Sequence, residues 1–487
     1  MTDSEYDRTR PRVHLRIGGE RLATGSGGTF EHVNPCTGEV DAIVPLAGAA
    51  EVDRSVRLAH ETFLGWRDVR PPEKRRLLLR LADLIEENSG EFIRLAVMDN
   101  GMPVSTAAGL AMGAAEWTRY YAGFADKIGG RVGSSFGADR EFSYTLAQPY
   151  GVIAAIITWN GPLTSLTMKL PPALAAGNTV VVKPSEFTPF AAELFADLVE
   201  QAGFPAGAVS ILPGTGEAGA ALVGHPLVQK VSFTGGPATA RAILRSCAEL
   251  IKPSCMELGG KSANLIFADA DLDAALTWNT LRVLGTVSGQ GCAFPTRMLV
   301  QESVYEEAVD RVADIVKGIR VGDPWDTETD IGPVVNQAAV DRILGLIERA
   351  RRDGARLVAG GGRVEGRYAS GCYLEPTVFA DVDPASELGQ VEVFGPVLSI
   401  MPFATEEQAI EIANSTSYGL GSYIQTNDLR RAHRVAERLV AGNTMINGAP
   451  NMMVNRPMGG FGLSGFGKEG GPEGLAEFQR IKTVAML

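Results

Sequence analysis

Cysteine is scarce in this chain, and its five copies, Cys36, Cys247, Cys255, Cys292 and Cys372, form no C-x-x-C pair. An odd number of scattered thiols argues against a disulfide framework and a zinc cage, and suits a reducing compartment. Basic residues are also in deficit: 45 Lys and Arg face 57 Asp and Glu, a net charge of −12. Nucleic acid is therefore not an expected partner, because phosphate-backbone footprints are basic. No run of eighteen apolar residues occurs, and the opening MTDSEYDRTRPR has no apolar h-region. No membrane association is expected, and the location expected is cytoplasmic. No repeat at a solenoid period is present either.

What the chain does have is length and an ordinary globular mixture. Its 487 residues, 45% apolar and 21% charged, correspond to about three domains at roughly 150 residues each. Helical blocks are expected at Glu51 to Phe63 and Pro72 to Asn88, where Leu77, Leu81, Leu84 and Ile85 recur at helical spacing. From Gly151 short apolar runs alternate with helix-length segments. The runs are Val152-Ile157, Thr179-Val182, Val209-Leu212, Val228-Phe233 and Leu265-Phe267; the helices are Leu163-Ala175, Ala191-Ala202 and Ala238-Ala248. This is the pattern of βαβ units on a parallel sheet covered on both faces. A second α/β run extends from near Glu257 to about Asn447, with helices expected at Glu302-Ile319 and Ala338-Arg352. Arg140 to Leu146 and Ile481 to Leu487 look like exposed strands, edges that a second subunit commonly covers.

Three glycine loops compete for a phosphate-binding role. Gly214-Thr215-Gly216-Glu217-Ala218-Gly219 fits G-x-G-x-x-G, but the acid required at the end of the next strand is missing between Val231 and Arg241. A plain strand-to-helix turn is the better reading. Phe233-Thr234-Gly235-Gly236 also joins an apolar strand to a helix, and its amides can cradle an anion. Gly260-Lys261-Ser262 suggests a P-loop, yet the first glycine of that motif would be residue 255, which is Cys.

Cys292 stands apart from the other cysteines, which read as buried structural thiols. It lies in Ser288-Gly289-Gln290-Gly291-Cys292-Ala293, where small residues admit close approach of backbone and substrate. A nucleophilic thiolate needs a lowered pKa or a nearby base. His14, His32, His60, His225 and His433 are all distant in sequence, and spacing alone leaves a nucleophile and a buried thiol both open.

Seven segments together carry a resemblance. They are Thr158-Trp159-Asn160-Gly161-Pro162, Lys183-Pro184-Ser185-Glu186, Phe233-Thr234-Gly235-Gly236, Glu257-Leu258-Gly259-Gly260-Lys261-Ser262, Gly289-Gln290-Gly291-Cys292, Glu392-Val393-Phe394-Gly395-Pro396-Val397 and Pro457-Met458-Gly459-Gly460-Phe461. In this order, from about Asn34 onward, the chain resembles the NAD(P)-dependent aldehyde dehydrogenase superfamily. The resemblance implies an α/β fold with a Rossmann-type coenzyme domain (1–129 and 150–256) and an α/β catalytic domain (257–447, with tunnel and coenzyme contacts continuing to 470). A small β oligomerisation element (130–149 and 471–487) completes it, implying a homodimer or homotetramer.

The same resemblance implies the chemistry. Cys292 would attack the aldehyde, Asn160 and the Cys292 N–H would hold the oxyanion, and hydride transfer to NAD would leave a thioester. Glu257 would activate the hydrolytic water, its apolar setting raising the carboxyl pKa. Lys169 would stand near the oxyanion donor. Lys183 and Glu186 would hold the adenine ribose, with Ser185 also in the coenzyme site and with Glu186 repelling a 2′-phosphate and so favouring NAD over NADP. Thr158, Trp159, Phe233, Thr234, Gly235, Gly236, Leu258, Gly259 and Phe394 would complete the coenzyme site, with Glu392 on the nicotinamide ribose. No metal is implied.

Thr158 stands where the family usually has Pro, Gly161 where it has an aromatic, and Gly236 where it has Ser. The aldehyde tunnel would be lined by Gly161, Ser165, Met168, Thr286, Met452 and Met453. Missing rings at Gly161, Met168 and Thr286 imply a wide, largely uncharged pocket for bulky apolar aldehydes, aromatic or terpenoid-like. A semialdehyde or other small aldehyde is the alternative, and Arg456 near the tunnel could pair with an acidic substrate. Two readings from other classes are a cysteine hydrolase working without a nucleotide and a catalytically silent structural relative. The second would be expected to have lost Cys292, Asn160 or Glu257.

Overall fold

The computed structural model describes residues 8–133, 141–448 and 453–486. Two main sheets organise the chain. In the first, the strands run in the order Glu20–Leu22, Leu15–Ile17, Val209–Ile211, Thr179–Lys183, Val152–Ile156, Val228–Thr234, Ser254–Glu257 and Gly465–Phe466. The five from Val209–Ile211 to Ser254–Glu257 are mutually parallel. Their apolar runs are continuous rather than alternating because helices cover both faces; Val152–Ile156 is buried at every position.

The second sheet has seven strands, in the order Arg356–Ala359, Thr377–Ala380, Val397–Phe403, Arg297–Gln301, Ala263–Ile266, Gly421–Gln425 and Asn443–Ile446. All are parallel except the first pair. The chain passes straight from Glu257, last in a strand of the first sheet, to Ala263, first in a strand of the second. That short crossing sets the carboxyl edge of one sheet toward the amino edge of the other.

The helices are amphipathic as their spacing requires. Pro71–Glu87 starts on prolines, which need no donor there, and buries Leu77, Leu78, Leu81, Leu84 and Ile85 on one face. Each such side chain contributes about 1.5–3 kcal/mol on burial. The expected helix Glu302-Ile319 is split into a short 3-10 turn, Glu302–Val304, and the helix Tyr305–Lys317.

A third sheet sets Phe142–Pro149 between Val132–Gly133 and Gln479–Met486, all antiparallel. Arg140 and Leu487, the outer limits expected for these strands, lie outside the described residues. Pairing of the terminal segment begins only at Gln479, because Leu475 and Phe478 are buried in the core of the first lobe. Among the described residues no helix is long and apolar enough to cross a membrane.

Candidate active site

The carboxyl ends of the parallel strands in the first sheet deliver one set of side chains, as expected for an open α/β sheet. Val152–Ile156 leads into Thr158, Trp159 and Asn160; Thr179–Lys183 ends on Lys183 and is followed by Ser185 and Glu186. Val228–Thr234 leads into Gly235 and Gly236 at the start of the helix Pro237–Glu249, and Ser254–Glu257 ends on Glu257. Gly214 to Gly219 forms a turn into the helix Gly216–Gly224, capped by the Thr215 hydroxyl, as its sequence suggests. Lys261 is buried between two strands with no helix following, so Gly260-Lys261-Ser262 does not build a P-loop.

The second sheet contributes at its amino edge. Cys292 precedes the strand Arg297–Gln301, and Glu392 and Phe394 precede Val397–Phe403. The Cys292 loop is held in an unusual backbone path: Val287, Ser288 and Gly289 have φ of 47°, 52° and 73°. Its packing explains how this path persists. Ser288 Oγ donates to the Gly332 carbonyl at 2.8 Å, and Gln290 Oε1 accepts from the Val335 amide at 3.0 Å. A Cβ on Gly289 would lie 2.2 Å from the Gly395 carbonyl oxygen, so the two loops meet backbone to backbone.

Asn160 crosses from the first edge to this loop. Its Nδ2 donates to the Gln290 carbonyl at 2.7 Å, and its Oδ1 accepts from the Thr158 hydroxyl at 3.1 Å. Thr158 therefore sets which way the amide faces and leaves the second Nδ2 hydrogen uncommitted beside the Cys292 loop. Asn100 Nδ2 donates to the Trp159 carbonyl at 3.0 Å, and the Trp159 ring meets Phe394 edge-on at 5.3 Å.

Burial raises the Cys292 thiol pKa to about 12, with the charges of Glu392 and Glu257 adding to the effect. It therefore rests protonated. The Glu257 carboxyl is pushed well above the ordinary carboxylate range by burial, then by Glu469, with Lys169 and Lys468 opposing. Its Oε1 has no hydrogen-bond partner among the described residues. Lys169 is buried, donates to Ser232 Oγ at 3.0 Å and pairs with Glu469. Sequence reasoning missed Glu469: it is 300 positions from Lys169 and carries no local motif.

Glu392 packs against the backbone of Gly259 and Gly260, accepting from the Gly260 amide at 2.9 Å. Burial raises its carboxyl to about 7, with Lys261 and Arg342 opposing. Lys183 Nζ lies 3.4 Å from Glu186 Oε2, and burial pushes the ammonium down. Phe187 N donates to Ser185 Oγ at 3.3 Å. Phe233 lies under Gly235, whose N–H donates to the Glu257 carbonyl, while Leu258 N donates to the Ser464 carbonyl. The surroundings of Gly236 are open, with no atom within 4 Å of a Cβ placed there.

The positions expected to line the tunnel divide. Gly161 is open, since a Cβ there would meet only Thr164, at 3.8 Å. Ser165 and Met168 are buried, Met168 in the core of the first lobe; Thr286 is half-buried and Met453 exposed. Met452 lies outside the described residues. Arg456 is exposed, with its amide donating to the Met453 carbonyl. A cation that the sequence did not single out, Arg282, stands over the Phe294 ring beside the Cys292 loop.

The aldehyde dehydrogenase family model matches residues 22–484. An aldehyde dehydrogenase-like protein of Schizosaccharomyces pombe is 40% identical over 475 residues, 97% of this chain and 94% of that protein. Among solved structures, an NAD+ complex of aldehyde dehydrogenase from Bacillus cereus matches with a TM-score of 0.94 and 37% identity, over 98% of this chain and 96% of the other. A betaine aldehyde dehydrogenase variant of Staphylococcus aureus with NAD+ gives 0.95 and 33%, over 98% and 97%.

Proposed function

The chain belongs to the aldehyde dehydrogenase family, and on that premise we propose that it oxidises a bulky aldehyde to the carboxylic acid, with Cys292 as nucleophile and NAD as hydride acceptor. The observation that carries this reading is the Asn160 amide, held 2.7 Å from the Gln290 carbonyl beside Cys292 with one N–H uncommitted.

The residues present fit the dinucleotide. Lys183 and Glu186 offer a donor and an acceptor to ribose hydroxyls at the first edge, and the open space at Gly236, where the helix Pro237–Glu249 starts, suits a diphosphate. Glu392 offers a second buried carboxylate, fixed by the Gly260 amide. When bound, NAD supplies the acceptor for the hydride leaving the aldehyde carbon.

The chain's own groups handle the protons and the charge. As Cys292 sulfur bonds to the carbonyl carbon, its proton passes to the Glu257 carboxylate, which keeps one negative charge in the site. The carbonyl π pair becomes an oxyanion between Asn160 Nδ2 and the Cys292 amide. Loss of hydride leaves a thioester on Cys292. Once Glu257 has released that proton to bulk water, it takes one from the hydrolytic water as the water oxygen adds to the thioester carbon. The oxyanion re-forms the carbonyl as the C–S bond breaks, the Cys292 thiolate takes the proton held by Glu257, and the acid departs. Glu469 favours the protonated form of Glu257 and Lys169 the ionised form, so this buried pair sets when Glu257 can act.

The open space at Gly161 supports a bulky substrate body. The outer edge of Gln479–Met486, with Ile481 and Met486 exposed, supports a homodimer or homotetramer in which another subunit covers that strand.

Glu257→Gln tests the assignment of the base. Hydride transfer precedes water activation, so the variant should give a burst of reduced NAD followed by turnover slowed about 100-fold or more. Intact-mass spectrometry should find acylated Cys292 during that slow phase. Steady turnover with no acyl-enzyme would remove Glu257 from this role.

A further inference from the structure

Arg297 and Arg16, the arginines buried among the described residues, are each held by several oxygen acceptors. Arg297 donates to the carbonyls of Lys261, Ile412 and Ala413 at 2.7–2.8 Å. Arg16 is surrounded by Glu193, Asp197 and Glu200, and Arg342 donates to the carbonyls of Val393 and Phe394. Arg282 differs. It is partly buried on the helix Leu272–Leu284, yet among the described residues it makes neither a hydrogen bond nor an ion pair. Its guanidinium lies 4.8 Å from the centroid of the Phe294 ring. A π face attracts a cation but satisfies none of the five N–H donors.

The aromatic groups around Arg282 are tied to the nucleophile loop. The Phe294 ring packs against Gly291, where a Cβ would come within 2.4–2.5 Å of three ring carbons. Tyr423 donates its hydroxyl to the Ala293 carbonyl at 2.6 Å and stacks on Trp278 at 5.3 Å. Gly291 and Ala293 are the neighbours of Cys292 on either side. Burial pushes the guanidinium pKa down, and the two groups acting in the other direction are Tyr423 and Cys292. Arg282 is thus an electrostatic neighbour of the nucleophile itself. Such a charge, once further desolvated by a bound substrate, is stabilised by an anion that accepts its N–H groups.

We propose that Arg282, in its setting of Phe294, Tyr423 and Trp278, anchors a carboxylate on the far end of the aldehyde substrate. This rests on the aldehyde-oxidising reading and changes the substrate expected from sequence: the body is apolar, but the end remote from the aldehyde is anionic. The physical reason for the change is that Phe294, Tyr423 and Trp278, which frame Arg282, gave no signal in the sequence as a group. A planar carboxylate suits the guanidinium fork, whereas an uncharged aldehyde offers it no counter-charge.

The test compares ω-oxo acids of four to eight carbons with the n-alkanals of equal length, in wild type, Arg282→Met and Arg282→Lys. We expect wild type to favour the best oxo acid over its alkanal at least tenfold in kcat/KM. Arg282→Met should lower that oxo acid about 10–100-fold, mainly through KM, as for loss of a charged hydrogen bond. The matched alkanal should change less than threefold, and Arg282→Lys should recover part of the loss. Equal losses on both substrates, or a wild type that favours alkanals, would overturn the anchor.

Binding of hexanedioate to Cys292→Ala, with and without Arg282→Met, needs no turnover. Weakening of that binding by at least tenfold in the double variant would support the anchor even if no aldehyde were oxidised, a result that would reject the proposed function alone. No dependence on Arg282 would reject the anchor whatever the enzyme oxidises.

Discussion

The two edges that meet at Cys292 are built by opposite means. The first sheet places Lys183 and Glu257 as the last residues of regular parallel strands, where neighbouring ladders hold the backbone. The second sheet places Cys292 and Glu392 in loops before its strands, and these loops follow left-handed paths at Val287, Ser288, Gly289 and Phe394. The first edge therefore needs little beyond its strands to keep its geometry. The second depends on close backbone packing, such as Gly289 on Gly395, to hold conformations that cost about 1–3 kcal/mol each. The first edge should therefore tolerate small changes better than the second.

The largest effect should come from Cys292→Ala. Dehydrogenase activity should fall at least a thousandfold, because covalent catalysis is worth several kcal/mol, while NAD affinity measured by fluorescence quenching stays nearly unchanged. Residual turnover above about one thousandth would mean that the second edge does not hold the nucleophile.

A paired substitution addresses the contrast itself. Gly289→Ala requires a side chain at a φ of 73° and 2.2 Å from a carbonyl oxygen. We expect a loss of about 2–4 kcal/mol in urea unfolding together with reduced activity. Gly236→Ser, on the first edge, meets open space at a helix N-cap, and its stability should change by less than about 0.5 kcal/mol. Similar costs at both positions would erase the distinction between the edges.

The smallest expected effect concerns Glu392. Its carboxyl titrates at about 7 in the free protein, raised by burial. Ribose hydroxyls need the ionised acceptor, so binding is favoured above that pKa and lost below it. From pH 8 to pH 6 the Kd for NAD should rise about tenfold. Glu392→Gln should flatten that dependence. A slope that survives the substitution would place the titrating group elsewhere.

Much of the first edge was legible along the chain. Strands such as Val152–Ile156 and Thr179–Lys183 are continuous apolar runs, and the residues after them sit at their ends by simple succession. The raised carboxyl of Glu257 was also foreseeable from its apolar neighbours, Met256 and Leu258. Glu469 was not, because its effect on Glu257 depends on a pairing with Lys169 across 300 positions. The wide pocket inferred from Gly161 concerns a side chain that is missing, which sequence shows well. Arg282 concerns a partner that is missing, which sequence cannot show.

By itself, then, the sequence determined the two α/β sheets, the family, and the identity of the groups brought to the crevice, since strand periodicity and strand-end motifs are local properties. Tertiary structure alone decided their state. The resting protonation of Cys292 comes from burial among Glu392 and Glu257, and the orientation of Asn160 comes from Thr158 and Gln290. The place of Arg282 over the Phe294 ring, beside the loop that Tyr423 holds, comes from elements far apart in sequence. Desolvation and long-range charge depend on what surrounds a group in space, and those surroundings exist only once the sheets have met.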